Sequence, residues 1–383
     1  MIKFIINIIL AFFLLLTPFF VSAYESSAQY AILYDYNLKK TIYSKNGTMP
    51  MAPSSMSKLM SLYVIFNELR DGHLKLDDLI LVSDGASKME GSRMFIESGQ
   101  KVTVQDLLRG IIIQSGNDAC IALAEHISGS EKAFVQLMND HALSLNLENS
   151  HFANATGLPD PNHHMSAHDL AVLSATLIKE FAQYYPMFSE KEFTFNNITQ
   201  ANRNLELGGE DGVDGIKTGH TNIAGYGIVM SALKGEGSNH RLIAVVNGLP
   251  TERARSDEAK ALLAHGFNNF DYSKIATANV SLTKIDVFNG QESKVDVVSL
   301  DDLGLMLPKT STQNVVTVVI KRPKILIAPV ENHQEVGKLI IYVDGDLYSE
   351  HQLVASKAIP ASSYLARLFN NAYYQIKNLE FNS

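Results

Sequence analysis

The stretch Ala52-Pro53-Ser54-Ser55-Met56-Ser57-Lys58-Leu59-Met60 decides the fold. Pro53-Ser54-Ser55 reads as a helix start, because proline and serine both suit a first turn. Met56, Leu59, Met60, Tyr63, Val64 and Phe66 then recur at helical spacing until Gly72, which predicts a helix buried in a core. Ser55 and Lys58 stand at i and i+3, on one face and within hydrogen-bond reach. A serine hydroxyl is a poor nucleophile until a neighbouring base takes its proton. Lysine serves as that base once burial or nearby positive charge lowers its pKa from the usual value of about 10.4.

Two more short elements follow in order: Ser115-Gly116-Asn117 and Lys217-Thr218-Gly219. Lys217, projected from a strand, can supply the positive field and anchor a substrate carboxylate. Ser115 can relay protons, and Asn117 can hold a substrate amide. Taken singly, the first two elements are weak signals. Ser98 with Lys101, Ser231 with Lys234 and Ser281 with Lys284 also fit S-x-x-K, while Ser44-Lys45-Asn46 and Ser144-Leu145-Asn146 fit S-x-N. Context removes them: Ser98 lies in a polar turn, Ser231 in a strand and Ser281 in a β-patterned tail. Ser44 follows a hairpin strand, and Ser144 lies inside an amphipathic helix. Lys-Thr-Gly occurs once.

Working outward, Tyr30-Ala31-Ile32-Leu33-Tyr34 and Thr41-Ile42-Tyr43 predict a hairpin. Residues 104–124 carry helical segments interrupted at Gln114-Ser115-Gly116-Asn117, and further helices are expected over 134–147, 168–179 and 256–267. Strands are expected over 194–204 and 225–246, the latter broken by a turn at 235–239. From Asp271 the pattern becomes short β runs, which predicts a small all-β domain. Leu365, Leu368, Phe369, Ala372, Ile376 and Leu379 then fall on one helical face after Pro360.

Met1-Ile2-Lys3, the apolar run over residues 4–21 and Val21-Ser22-Ala23 read as a secretory signal peptide cleaved before Tyr24. The only cysteine, Cys120, can form no internal disulfide, so stability must come from a sizeable core. A net charge of −8 with no basic stripe argues against nucleic-acid binding. The expected organisation is signal peptide 1–23, catalytic domain 24–270, all-β domain 271–358 and an amphipathic membrane-anchor helix 359–383. Residence in the periplasm or on the outer face of the cytoplasmic membrane follows from it.

Ala52 to Met60 as quoted, Gln114-Ser115-Gly116-Asn117-Asp118-Ala119-Cys120, and Asp214-Gly215-Ile216-Lys217-Thr218-Gly219-His220-Thr221 resemble the low-molecular-mass penicillin-binding D-Ala-D-Ala carboxypeptidases. The resemblance spans nearly the whole chain. It implies an α+β catalytic domain of the serine β-lactamase/transpeptidase type, an antiparallel sheet flanked by helix clusters, followed by the all-β domain. It also implies attack by Ser55 on the carbonyl between two D-alanines, with Lys58 as general base and Ser115, Asn117 and Lys217 completing the catalytic set. The backbone N–H groups of Ser55 and His220 would form the oxyanion hole. Thr218, with Gly219, His220 and Arg203 or Arg255, would bind the substrate and its terminal carboxylate. Stem peptides ending in D-Ala-D-Ala are the implied substrates, β-lactams the implied inhibitors and a membrane surface the implied partner of the terminal helix. No metal and no cofactor is expected.

The sequence departs from the family after Leu158. His163-His164-Met165-Ser166-Ala167-His168-Asp169 stands where a Tyr-Ser-Thr-like stretch is usual. It reads as a loop with a helix N-cap at Ser166 rather than a metal site. Cys120 reads as a small buried residue, not a nucleophile. A β-lactamase, a cross-link endopeptidase and a low-turnover structural protein remain alternatives. The Glu-x-x-Leu-Asn element of class A β-lactamases is missing from the sequence.

Overall fold

A computed structural model describes residues 24–234, 240–309 and 314–371. The proposed signal peptide, the turn at 235–239 and residues 372–383 of the terminal stripe lie outside the described residues.

The hairpin forms as Tyr30–Asp35 and Lys40–Lys45 and becomes one edge of a five-stranded antiparallel sheet. From that edge the order is Lys40–Lys45, Tyr30–Asp35, His240–Leu249, Gly225–Lys234 and Val213–Thr221. Chain-distant strands therefore sit side by side, which places Lys217 on the opposite edge. Tyr30–Asp35 and His240–Leu249 are buried along most of their length, because helices cover both faces. One face packs on the helix Glu252–Asn269 through Leu33, Leu242, Ala244, Leu262 and Leu263. The other packs on the helical cluster around Lys58–Arg70, whose buried face includes Leu59, Met60, Leu62 and Phe66.

Two sequence readings change. The expected single strand over 194–204 is a hairpin, Glu192–Phe195 with Ile198–Ala201. Asn196 and Asn197 turn it, both at positive φ, as a two-residue hairpin loop requires. The closing helix begins at Glu252, four residues before the apolar periodicity does, because Thr251 accepts a hydrogen bond from the Ala254 N–H and caps it there.

Beyond it, Phe270–Ala276 pairs with Leu303–Pro308. A six-stranded sheet follows, ordered Val316–Lys321, Glu335–Val343, Asp346–Ala355, Lys294–Val298, Thr283–Phe288 and Ile325–Ile327. Its two end strands are joined by only Arg322, Pro323 and Lys324, so they stand within about 14 Å of each other at full extension. The sheet therefore curls around its own core of Ile285, Val295, Val297, Leu339, Ile341 and Leu353. Residues 364–371 are helical and largely exposed.

Candidate active site

The helix predicted around Ser55 starts as a 3₁₀ turn, Ser54–Ser57, and continues as Lys58–Arg70. Ser54 enters it at φ 49°, and the Ser57 hydroxyl donates to the Ser54 carbonyl at 3.0 Å. Gly157 lies flat against this turn. A Cβ there would stand 2.1 Å from the Ser54 carbonyl oxygen, and its φ of 80° already favours glycine. Ser55 stays partly open while Lys58 is fully buried.

The Lys58 Nζ lies 3.0 Å from Ser55 Oγ and 2.7 Å from Asn117 Oδ1, and it donates to the Thr156 carbonyl. Burial pushes its pKa down to about 8; nearby Cys120 and Asp118 oppose that shift, and Arg203 adds to it.

Ser115 lies in the break between the helices Val104–Ile112 and Asn117–Ser128, at φ 64°. Its hydroxyl is buried and has no hydrogen-bond partner among the described residues. Asn117 is held at both ends of its amide, by Lys58 and by the Glu90 carbonyl at 2.6 Å. Next to it, the fully buried Asp118 carboxylate accepts from the backbone N–H groups of Met94, Phe95, Ile96 and Ala119, at 3.0, 2.9, 3.3 and 2.9 Å. It thereby ties the preceding loop to the Ser115 turn.

Lys217 and Gly219 share the face of Val213–Thr221 that meets the nucleophile turn. Gly219 permits the approach, since a Cβ there would come within 2.8 Å of the Pro53 carbonyl. Lys217 is buried, and burial together with Lys58, Arg203 and Arg255 holds its pKa well below the ordinary lysine value.

The two arginines differ. Arg203 is exposed, with one nitrogen donating to Ser92 Oγ at 2.9 Å. Arg255 is buried and donates to the Arg203 carbonyl at 3.0 Å and to Glu252 at 2.6 Å. It also lies over Tyr226, which stacks on His220 with ring centres 3.9 Å apart. Thr218 is buried in the same strand. Beside Ser54 a cavity of about 500 Å³ opens, lined in part by Gly157, Leu158, Thr221 and Ile223.

The Cys120 thiol is buried, donates to the Ala155 carbonyl at 3.2 Å, and is pushed up to about 11 by that burial. It is a packed thiol rather than a thiolate. Ser166 caps the helix Ala167–Glu180 by accepting from the Asp169 N–H at 3.0 Å. Its histidine-rich approach is a hydrogen-bonded loop: His151 Nδ1 meets the Asn162 carbonyl, and His163 Nδ1 accepts from Ala153. Sequence reasoning missed Thr156, Gly157, Asp118 and Glu90. Three of them act through backbone atoms or a missing side chain, and Asp118, though it stands in the quoted Ser115 stretch, was given no role there.

A serine at a helix start, touching a buried lysine that a second loop and an edge strand enclose, defines an active-site-serine enzyme. The family profile described as D-alanyl-D-alanine carboxypeptidase matches residues 17–251, and that of the penicillin-binding protein 5 C-terminal domain matches residues 270–361. The D-alanyl-D-alanine carboxypeptidase DacA of Haemophilus influenzae is 36% identical over 94% of this chain and 92% of its own. The crystal structure of penicillin-binding protein 5 from the same organism superposes with a TM-score of 0.79 at 36% identity, covering 89% of this chain and 99% of that one. Penicillin-binding protein 6B from Escherichia coli gives 0.71 at 34% identity, over 88% and 98%. The chain belongs to the D-alanyl-D-alanine carboxypeptidase family and is a serine-type carboxypeptidase of the penicillin-binding kind.

Proposed function

We propose that Ser55 forms the acyl-enzyme and that Lys58, as a neutral amine, takes its proton. The arrangement around Nζ carries this reading. A neutral amine has two hydrogens and one lone pair. Asn117 Oδ1 and the Thr156 carbonyl can only accept, so they occupy both hydrogens and leave the lone pair for the Ser55 hydroxyl. Asn117 on this reading positions the base through Oδ1, and the second N–H of its amide, beyond the one given to Glu90, is left for a substrate carbonyl.

Ser55 Oγ attacks the carbonyl between the two D-alanines, with the N–H groups of Ser55 and His220 stabilising the oxyanion. The C–N bond breaks, and the leaving amine of the terminal D-alanine gains a proton passed from Lys58 through the unpartnered Ser115 hydroxyl. Water then hydrolyses the ester, activated by the same pair. Lys217, Arg203 and Arg255 form a cationic group that suits the carboxylate of a stem peptide ending in D-Ala-D-Ala. Thr218 and Arg203 bind that carboxylate, and Arg255, already engaged, holds the Arg203 backbone. An R203A variant should raise KM for diacetyl-Lys-D-Ala-D-Ala at least about tenfold, the loss of roughly one charge-assisted hydrogen bond. An unchanged KM would remove Arg203 from the site. β-Lactams acylate the same serine.

Export through residues 1–23 and anchoring through 359–383 would place the enzyme in the periplasm or on the outer face of the cytoplasmic membrane. The exposed Tyr364, Leu365, Leu368 and Phe369 support the anchor. A chain ending before Pro360 should bind membranes far more weakly than the full mature chain; undiminished binding would contradict the anchor.

A further inference from the structure

We infer that the outer edge of the β-domain, at Ile325 and Ile327, seats on an anionic phospholipid surface beside the terminal helix. The inference rests on the reading of that helix as a membrane anchor and adds a second contact element to it. The strand Ile325–Ile327 ends its sheet and is paired on one side only, with Thr283–Phe288. Alternation turns Leu326 inward against the domain core and leaves Ile325 and Ile327 outward, 44% and 73% exposed. Isoleucines on both outward positions of an edge strand are what soluble sheets avoid.

Ile327 shares a depression of about 300 Å³ with Tyr364, Arg367 and Leu368 of the helix. Asn289 donates to Asn371 across it at 3.1 Å, which fixes the helix against this edge. The apolar surface of the helix and that of the strand are thus one patch. Lys321, Arg322 and Lys324 are exposed where the chain approaches the strand, and residues 317–330 contain no acid. Asp286, the nearest register partner of Ile325, is matched by Lys294 at 3.6 Å. A local cluster of three cations in a chain of net charge −8 is complementary to anionic headgroups. One short amphipathic segment binds a bilayer weakly, and a second apolar element with a basic tip is what makes such binding stable. Two contacts would also set the orientation of the β-domain on the surface, where a helix alone would act as a tether.

The chain contains no tryptophan, so I327W places a single reporter at the proposed contact. The full mature chain carrying I327W is mixed with vesicles of phosphatidylglycerol and phosphatidylcholine, with and without brominated acyl chains. Vesicle association is followed separately by sedimentation, and turnover of a soluble substrate confirms folding. The expected result is a blue shift and bromolipid quenching of the reporter. R322Q/K324Q should associate about thirtyfold more weakly with the anionic vesicles, at about 1 kcal/mol per cation. Sedimentation with the vesicles but no quenching would overturn this contact while leaving the helix anchor standing. No sedimentation at all would overturn both, and equal affinity for pure phosphatidylcholine would overturn the anionic partner.

Discussion

Raising the pH through about 8 should convert Lys58 from ammonium to amine and switch on Ser55. Burial lowers this pKa, so the reactive form dominates above about 8 and is lost as pH falls below it. The second-order rate of penicillin acylation, measured from pH 6 to 10, should climb and level accordingly; a flat profile would remove Lys58 as base. K58R keeps the charge but cannot give up its proton, and should lose about 10²–10⁴-fold in acylation. The same depressed pKa means that Lys58 adds stability above its unfolded value of 10.5 and that this contribution fades as pH falls towards about 8. At this scale much was legible. Spacing and context single out Ser55, Lys58 and Lys217, and the structure brings the three side chains together at one turn. The Thr156 carbonyl was not legible, since any residue type offers a carbonyl and only the fold brings this one to Nζ.

At the level of elements, the nucleophile turn depends on the loop that presses on it. Gly157→Ala should reduce acylation at least about tenfold, because the new methyl group meets the Ser54 carbonyl and forces the Ser55 hydroxyl off its line. Gly72 has a similar φ of 78° but nothing within 4 Å, so Gly72→Ala should cost only about 1 kcal/mol in stability and leave acylation intact. Equal effects of the two substitutions would contradict the steric account. Asp118→Asn turns an acceptor-only group into one that must face N–H donors with its own NH₂. A loss of about 2–3 kcal/mol is expected, a fall in Tm of roughly 5–10 °C, read by thermal unfolding. Apolar periodicity makes the helix through Leu59, Tyr63 and Phe66 and its end before Gly72 readable in sequence, while its opening 3₁₀ turn over Ser54–Ser57 is not. Boundaries set by local polar chemistry were legible only in part: Ser166 reads as a cap, but the Asn196-Asn197 turn and the Thr251 cap sit in stretches with no periodic signal beside them.

Across the whole molecule, the β-domain is joined to the catalytic domain by the paired strands Phe270–Ala276 and Leu303–Pro308 and by a buried junction. There His240 binds Asp35 at 2.9 Å and stacks on Tyr272 with ring centres 4.5 Å apart. Asp301 also takes Lys39 and Lys179, at 3.0 and 2.8 Å, but all three side chains are roughly half exposed. Solvent screening leaves such pairs worth about 0.2–1 kcal/mol each. Asp301→Ala should therefore lower Tm by only a few degrees and leave turnover of a soluble substrate unchanged; a large loss would mean that the ion pairs, rather than the buried junction, hold the domains. The sequence showed that a β-domain follows but not how it docks, because the docking residues come from segments that carry no shared pattern.

The whole mechanism turns on Ser55 as the acylated nucleophile of a D-Ala-D-Ala carboxypeptidase. Its most direct test is reaction with a labelled penicillin, followed by mass-spectrometric location of the adduct, beside D-alanine release from diacetyl-Lys-D-Ala-D-Ala. A single adduct on Ser55 is expected, together with D-alanine release that S55A abolishes. An adduct on another residue, or release that survives S55A, would contradict it.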